Sequence, residues 1–386
     1  SSSSDSDDRG GGGVSSWLAP WSPGERRVLG TSAIFTLQAV EKLALAEGSR
    51  LVLAALQSPA QQGVYGLVAN LGSLVVRTLF QPLEEAAFAA FSTWGGGGGG
   101  GGAGGGTEDG VTAATGAEIA GEGTAAVTEE KREKERRRLA ALAGALGPMV
   151  KVVSLLGLAA AAFGPSYAYV ALRGVYGTRW SESEAPGVLA AYSVYVLLLA
   201  LNGIGEAFVH AVLDARGLQQ SNMLLLVFSG AHLAACVVLV QQYGALGLVA
   251  ADSVNMLLRI AYSAWCIRRF FRPLPSFSLQ RDLLPAPPTL AAFAAAAAVA
   301  AASNRLIMRL PWAASDPWVM PQRVFLQRAA AHVGVGVLLL GALAGLMART
   351  ERSTLRLALE LRRKGRGKGD GGKGGAVAGS ERVKED

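Results

Sequence analysis

Apolar residues run along this chain in long blocks rather than in the alternation of a half-buried strand. Eight blocks are about long enough, at 1.5 Å per residue, to cross a hydrocarbon layer as helices. They lie near 31–56, 63–92, 139–164, 186–214, 218–241, 244–267, 288–308 and 324–348. Between Leu139 and Thr350 only 21 of 212 residues are Asp, Glu, Lys or Arg. The pattern predicts an all-α polytopic membrane protein with about eight transmembrane helices.

The segments between the blocks are of a different kind. Residues 1–30 open SSSSDSDDRGGGG, and residues 93–138 carry a glycine run followed by the charged stretch Lys131 to Arg138. Neither has an apolar face that could offset the entropy of ordering, so both read as disordered, with 93–138 a Gly-rich and charged loop. That organises the chain as a tail (1–30), two membrane helices (31–92), a loop (93–138), six further helices (139–350) and a basic tail (351–386).

Charge then sets the orientation. Eight crossings place both termini on one side. The loops of that side hold Lys131, Arg132, Lys134, Arg136, Arg137 and Arg138, then Arg216, then Arg268, Arg269, Arg272 and Arg281, then Arg349 and Arg352. Loops on the other side hold no cation at 57–62 or 241–244, and only Arg173, Arg179, Arg309 and Arg323 elsewhere. By the positive-inside rule the termini are expected to be cytosolic. The net charge of +7 is thus a feature of topology, and nucleic acid is not expected as a partner.

Inside the spans, polar residues fall at helical spacing. Asn70, Ser73, Arg77, Gln81 and Glu84 are separated by steps of three or four, which puts them on one face of the second span. Tyr195, Asn202 and Glu206 form a similar stripe in the fourth, with His210 at its edge, and Asp252, Asn255, Arg259 and Ser263 form one in the sixth. Charges at the bilayer centre are costly, about 2.5–3.5 kcal/mol each on insertion scales, so these faces should not meet lipid. Two readings stay open. The charges pair across a dry bundle and fix helix register, or the three faces line a hydrated cavity whose amides and hydroxyls suit a sugar-like ligand. Pro82 is expected to kink the second span.

Other chemistry is thinly supported. His210, His232 and His332 lack the spacing of metal ligands, Cys236 and Cys266 lie in apolar runs, and neither a phosphate-binding loop nor a nucleophile elbow occurs. No metal, no cofactor and no enzymatic activity are expected; an intramembrane glycosyltransferase would need an acidic metal motif that no loop supplies.

Several motifs carry a resemblance. The stretches AEGSRLVL (46–53), GVYGLVANLGSLVVRTLFQPLEEAAF (63–88), FGPSYAYVAL (163–172), YVLLLALNGIGEAFVHAVL (195–213) and GALGLVAADSVNMLLRIAYSAWCIRRFF (244–271) resemble the Rft family of endoplasmic-reticulum membrane proteins, in order and in spacing. The resemblance implies the second bundle of a two-bundle fold from the multidrug and oligosaccharidyl-lipid exporter superfamily. It also implies a substrate, a dolichyl pyrophosphate carrying a mannose-rich oligosaccharide, translocated from the cytosolic to the lumenal leaflet during N-glycan assembly. With no initiator Met and a polar start, the first bundle is expected to be missing from this chain. On that reading Arg77 and Arg259 would meet the pyrophosphate, Asn70, Gln81, Asn202, Glu206 and Asn255 the sugars, and Glu84 and Asp252 would pair with the arginines when the site is empty. Membrane lipids are the remaining partner. The alternative is a non-transporting accessory protein of the same pathway, which binds the glycolipid or a partner membrane protein.

Overall fold

The structure, a computed structural model, describes residues 47–95, 122–309, 320–352 and 354. It divides into two units, Ser1–Leu51 and Val52–Asp386. Of the first, residues 47–51 are described; they are helical and carry an exposed Arg50–Glu47 ion pair of 3.0 Å. Most of the span expected at 31–56, the tail 1–30, the glycine run 96–121 and nearly all of 355–386 lie outside the described residues.

The second unit is helical throughout, with no strand among the described residues. Six of its helices are long and apolar enough to cross a membrane. The first is composite: α1 (Pro59–Val75), a π-helical turn (Val76–Phe80) and α2 (Gln81–Gly95). Ser58 caps it and Pro59 occupies the first turn, where a missing N–H is harmless. Pro82 explains the π turn. It cannot donate to the carbonyl four residues back, and the N–H of Gln81 reaches Val76 O, five residues back, instead. The expected kink is therefore taken up as a widened turn.

α3 (Glu122–Tyr176) runs far ahead of the apolar block at 139–164. The stretch 122–138 is helical, in contrast to the disorder expected there. Its lysines, arginines and glutamates are good helix formers, and they pair at helical spacing, Arg137–Glu133 at 3.0 Å and Arg138–Glu135 at 3.4 Å. A one-turn α4 (Thr178–Ser181) leads to α5 (Ala185–Val212).

α6 (Ala215–Phe270) would be about 84 Å long if straight, far more than a bilayer needs. It turns instead at Gly244, whose φ of 57° suits a residue without Cβ. His232 Nδ1 lies 3.3 Å from Ala251 O, so the two arms fold back on each other. Gly247 permits this, since a Cβ there would collide with the Leu239 carbonyl. These arms are the two separate spans expected at 218–241 and 244–267. α7 (Pro287–Ser303), a second π turn (Asn304–Arg309) and α8 (Gln322–Thr350) complete the set.

α5 is the central helix, packed by α1, α2, α3 and α6. Phe208 anchors this core, with the rings of Phe91, Phe270 and Phe271 at 5.3–5.5 Å. α3, α7 and α8 form a smaller cluster around Leu155, Phe293 and Leu343. There the buried His332 donates through Nε2 to Ser166 O at 3.1 Å, pairs through Nδ1 with the Ser303 hydroxyl at 2.8 Å, and stacks on Tyr167. It is a satisfied bundle histidine, as expected. Large apolar side chains such as Leu338, Met223 and Leu74 are exposed on the outer faces, the surface a lipid-facing protein presents.

The loops gather at two ends. One end brings Arg132 and Arg136 of α3 to Pro273, beside Arg268, Arg269 and Arg272. The other collects residues 57–61, 181–188, 241–246 and 304–308, with no lysine or arginine among those that line its cleft. The alternation of basic and non-basic loops is thus present in space.

Candidate functional site

The three polar stripes lie on α1/α2, α5 and the second arm of α6. α5 and that arm run in the same direction: Tyr195 lies near Asp252, Glu206 meets Arg259, and Gly205 faces Ser263. The sequence offset is nearly constant at 53–58 residues, so Asn202 and Asn255 share a level, each one turn ahead of the charged pair. Parallel packing follows from the first arm of α6, which returns the chain to its starting side.

Arg259 donates through Nε and Nη2 to the same oxygen, Glu206 Oε1, at 2.6 and 2.5 Å. Both side chains keep about a quarter of their surface exposed, 27% and 24%. Glu84 of α2 completes this layer from the third side. It fills the space left by Gly203, where any Cβ would overlap its carboxylate, and it lies within electrostatic reach of Glu206. Two carboxylates therefore lie in one layer, and Arg259 is bonded to Glu206.

One turn away, Asn202 and Asn255 are buried, and the Oδ1 of each lacks a hydrogen-bond partner among the described residues. A buried carbonyl without a donor costs about 1–3 kcal/mol, which a register-fixing core would not need to carry. Further along, Asp252 accepts from Tyr65 Oη at 3.1 Å and lies 3.4 Å from His232 Nε2.

Not every residue of the stripes joins this cluster. Asn70, Arg77 and Gln81 are exposed on the face of α1/α2 turned away from α5, and Gln81 donates to Glu85 at 3.1 Å. Arg77 sits in the π turn and forms no ion pair with a described residue. The turn also separates it from Glu84. A π turn lags an α-helix by about a quarter of a turn over five residues, enough to swing Glu84 from the Arg77 face onto α5. The five-residue stripe read from regular spacing is thereby split. The pairing expected for the arginines differs as well: Glu206 holds Arg259, while Asp252 is engaged by Tyr65 and His232.

Tyr65 and His232 are the members that spacing did not reveal. Tyr65 stands five residues before Asn70, off the stripe, and a histidine in an apolar run gives no sign of which carboxylate it will meet. Among the described residues no group of His, Cys, Asp and Glu could hold a metal ion. The arrangement offers one guanidinium paired with Glu206, an exposed guanidinium on a separate face, three acidic groups and two amide acceptors without a donor among the described residues. That set can bind phosphate-like anions and hydroxyl donors.

The Rft protein family matches residues 21–361 of the chain. Curated relatives bearing the name Man(5)GlcNAc(2)-PP-dolichol translocation protein RFT1 include one from Xenopus tropicalis, 32% identical over 267 residues, covering 69% of this chain and 44% of the relative. One from Mus musculus is 29% identical over 322 residues, covering 82% and 51%. One from Dictyostelium discoideum is 28% identical over 234 residues, covering 61% and 41%. The chain spans about half the length of the curated relatives it matches. No solved structure matches it. A match running through all of the described membrane helices and both polar arms of the site makes this chain a member of the Rft protein family.

Proposed function

We propose that this chain forms part of a glycolipid translocator of N-glycan assembly, a multi-pass protein of the endoplasmic-reticulum membrane with both described ends of the basic side facing the cytosol. Its substrate is a dolichyl pyrophosphate carrying a mannose-rich oligosaccharide, moved to the lumenal leaflet by transport rather than by catalysis. The observation that carries this reading is the pair of unmet carbonyls, Asn202 Oδ1 and Asn255 Oδ1, one turn from the Arg259–Glu206 pair. Sugar hydroxyls donate to such carbonyls, and guanidinium groups such as Arg259 and Arg77 suit the pyrophosphate oxygens. Asn70, Gln81 and Arg77 form an exposed polar face that a second bundle would cover in a two-bundle arrangement.

The test is rescue of cells depleted of their own Rft-family protein, with this chain alone and with this chain joined to the first bundle of a relative, lipid-linked oligosaccharides being profiled by mass. The joined form is expected to clear the accumulated heptasaccharide lipid, and Arg77→Ala and Arg259→Ala in it to lose that ability while still inserting. Failure of the joined form despite correct localisation overturns the proposal. The direct contact of Arg259 with Glu206 favours a second reading, an accessory protein that holds the glycolipid without moving it. Flipping measured in vesicles containing only the purified joined form separates the two.

A further inference from the structure

At the end of the bundle away from the arginine-rich loops, a cleft of about 1030 Å³ opens between the start of α1, the α4–α5 connection and the turn of α6. That volume lies at the upper end of small-molecule sites, and gives room for several pyranose rings. Amides are prominent in its lining, from Gln57, Gln61, Gln241, Gln242 and Asn304, beside apolar residues such as Leu246 and Met308. Glu182 and Glu184 add acceptors, and Tyr169 and Tyr243 add aromatic surface. Among the described residues no lysine, arginine or histidine lines it. Arg173, which bonds the lining residues Tyr169 and Glu182, is itself buried and is paired with Glu182 at 3.2 Å.

One atom of this lining is unmet. Gln61 spends its Nε2 on Glu184 Oε1 at 3.5 Å, whereas its Oε1 is buried against Gly244 and has no donor among the described residues. Gly244 makes this placement attainable, because a Cβ there would collide with the Gln61 amide. Gln57 is held similarly, donating to Val240 O at 2.6 Å. Two of the four glutamines are thus held in place by the fold. Tyr243 stands 58% exposed at the rim, where a ring face is free to stack.

These features exclude an anion and suit a neutral polyol. Carboxylates without free cations repel phosphate, whereas amides and carboxylates pair with hydroxyls, and the apolar face of a pyranose packs on tyrosine. The basic cleft at the opposite end, lined by Arg268, Arg269 and Arg272, has the converse chemistry.

We propose that the glutamine-rich cleft between α1, α5 and the α6 turn is a binding site for neutral, mannose-rich oligosaccharide. Its role as the place where the glycan arrives after crossing rests on the function proposed above; the binding itself does not.

The test uses the purified full chain in detergent micelles and soluble Man(5)GlcNAc(2) as probe, read by saturation-transfer NMR. Saturation is expected on the pyranose protons. Gln61→Leu and Gln242→Leu are each expected to weaken binding about three- to tenfold, the effect of one neutral hydrogen bond. Tyr243→Ala, at an exposed position that no core residue needs, is expected to weaken it comparably. Gln280→Leu in the basic cleft should leave binding unchanged, and inorganic pyrophosphate should not compete. Absence of transfer to the unmodified chain overturns the proposal, as does transfer that survives all three cleft substitutions or that pyrophosphate displaces. Failed rescue in cells with intact oligosaccharide binding would instead count against the translocation function alone.

Discussion

The Arg259–Glu206 pair is open to a quantitative test. Exposed ion pairs contribute about 0–1 kcal/mol, whereas removing one partner of a buried pair costs about 3–5 kcal/mol. With 27% and 24% exposure, and two donor nitrogens on one oxygen, this pair falls between those limits. Arg259→Leu and Glu206→Leu should each cost roughly 2–3 kcal/mol, and the double substitution little more than either alone, giving a coupling of about 2 kcal/mol. The two single costs should also be unequal. A carboxylate left alone can take up a proton, but a guanidinium cannot lose one, so Glu206→Leu should be the more damaging.

The assay is equilibrium unfolding of the purified chain in mixed micelles of mild detergent and sodium dodecyl sulfate, followed by tryptophan fluorescence. Additivity within about 0.5 kcal/mol would refute the pairing, and a larger loss from Arg259→Leu than from Glu206→Leu would refute the argument about which charge is stranded. The number bears on function. A ligand that draws Arg259 away must offset about 2 kcal/mol, roughly thirtyfold in affinity, before any gain appears.

Three further outcomes follow from the packing. Gly247→Ala should disrupt the α6 hairpin, because its methyl group meets the Leu239 backbone carbonyl, which cannot rotate aside; a lowered thermal midpoint in size-exclusion of a fluorescent fusion checks this, and an unchanged midpoint contradicts it. His332→Leu should cost about 1–3 kcal/mol by stranding Ser303 Oγ and Ser166 O, and adding Ser303→Ala should recover part of the loss in the same unfolding assay. Asp282, between the spans, is held below the ordinary carboxylate range: burial alone would raise it, but the Ser278 N–H at 2.7 Å and the Arg281 guanidinium at 3.2 Å outweigh that. Because the folded value is depressed, the loop's stabilisation is full above the unfolded carboxylate value and lost as pH falls through the folded one. Hydrogen-exchange protection across residues 278–283 should decline on acidification in the parent chain and show no such dependence in Asp282→Asn.

What the sequence made legible is what the bilayer itself imposes. Apolar runs of crossing length, the break at Gln241–Gly244 and the alternation of basic loops all follow from local composition, and all recur in the structure. The disorder expected over 122–138 fails because composition was weighed without the pairing of its charges at helical spacing. Partners such as Tyr65 and His232 for Asp252 depend on which helices become neighbours, and no period within one helix encodes that. The glutamine cleft is invisible for the same reason, since its lining comes a few residues at a time from separate loops.

The π turn at Val76–Phe80 is the instructive case, because one residue decided it. A regular 100° step assigns Arg77 and Glu84 to one face, and their opposite charges then invite a pairing between them. Pro82 denies the helix one hydrogen bond, the preceding turn widens, and the two residues part: Glu84 packs against Gly203 of α5 near Glu206, and Arg77 is left exposed without an ion pair among the described residues. The separation has a chemical consequence. Had the helix been regular, each arginine would have had its own carboxylate and the site would have been closed on itself. As built, Glu206 holds Arg259 inside the bundle while Arg77 stands exposed, which separates an acidic, amide-bearing interior from a cationic exterior. On the function proposed above, an anionic lipid head carrying neutral sugars would use both environments, and the proline at the start of α2 would supply the rotation that separates them.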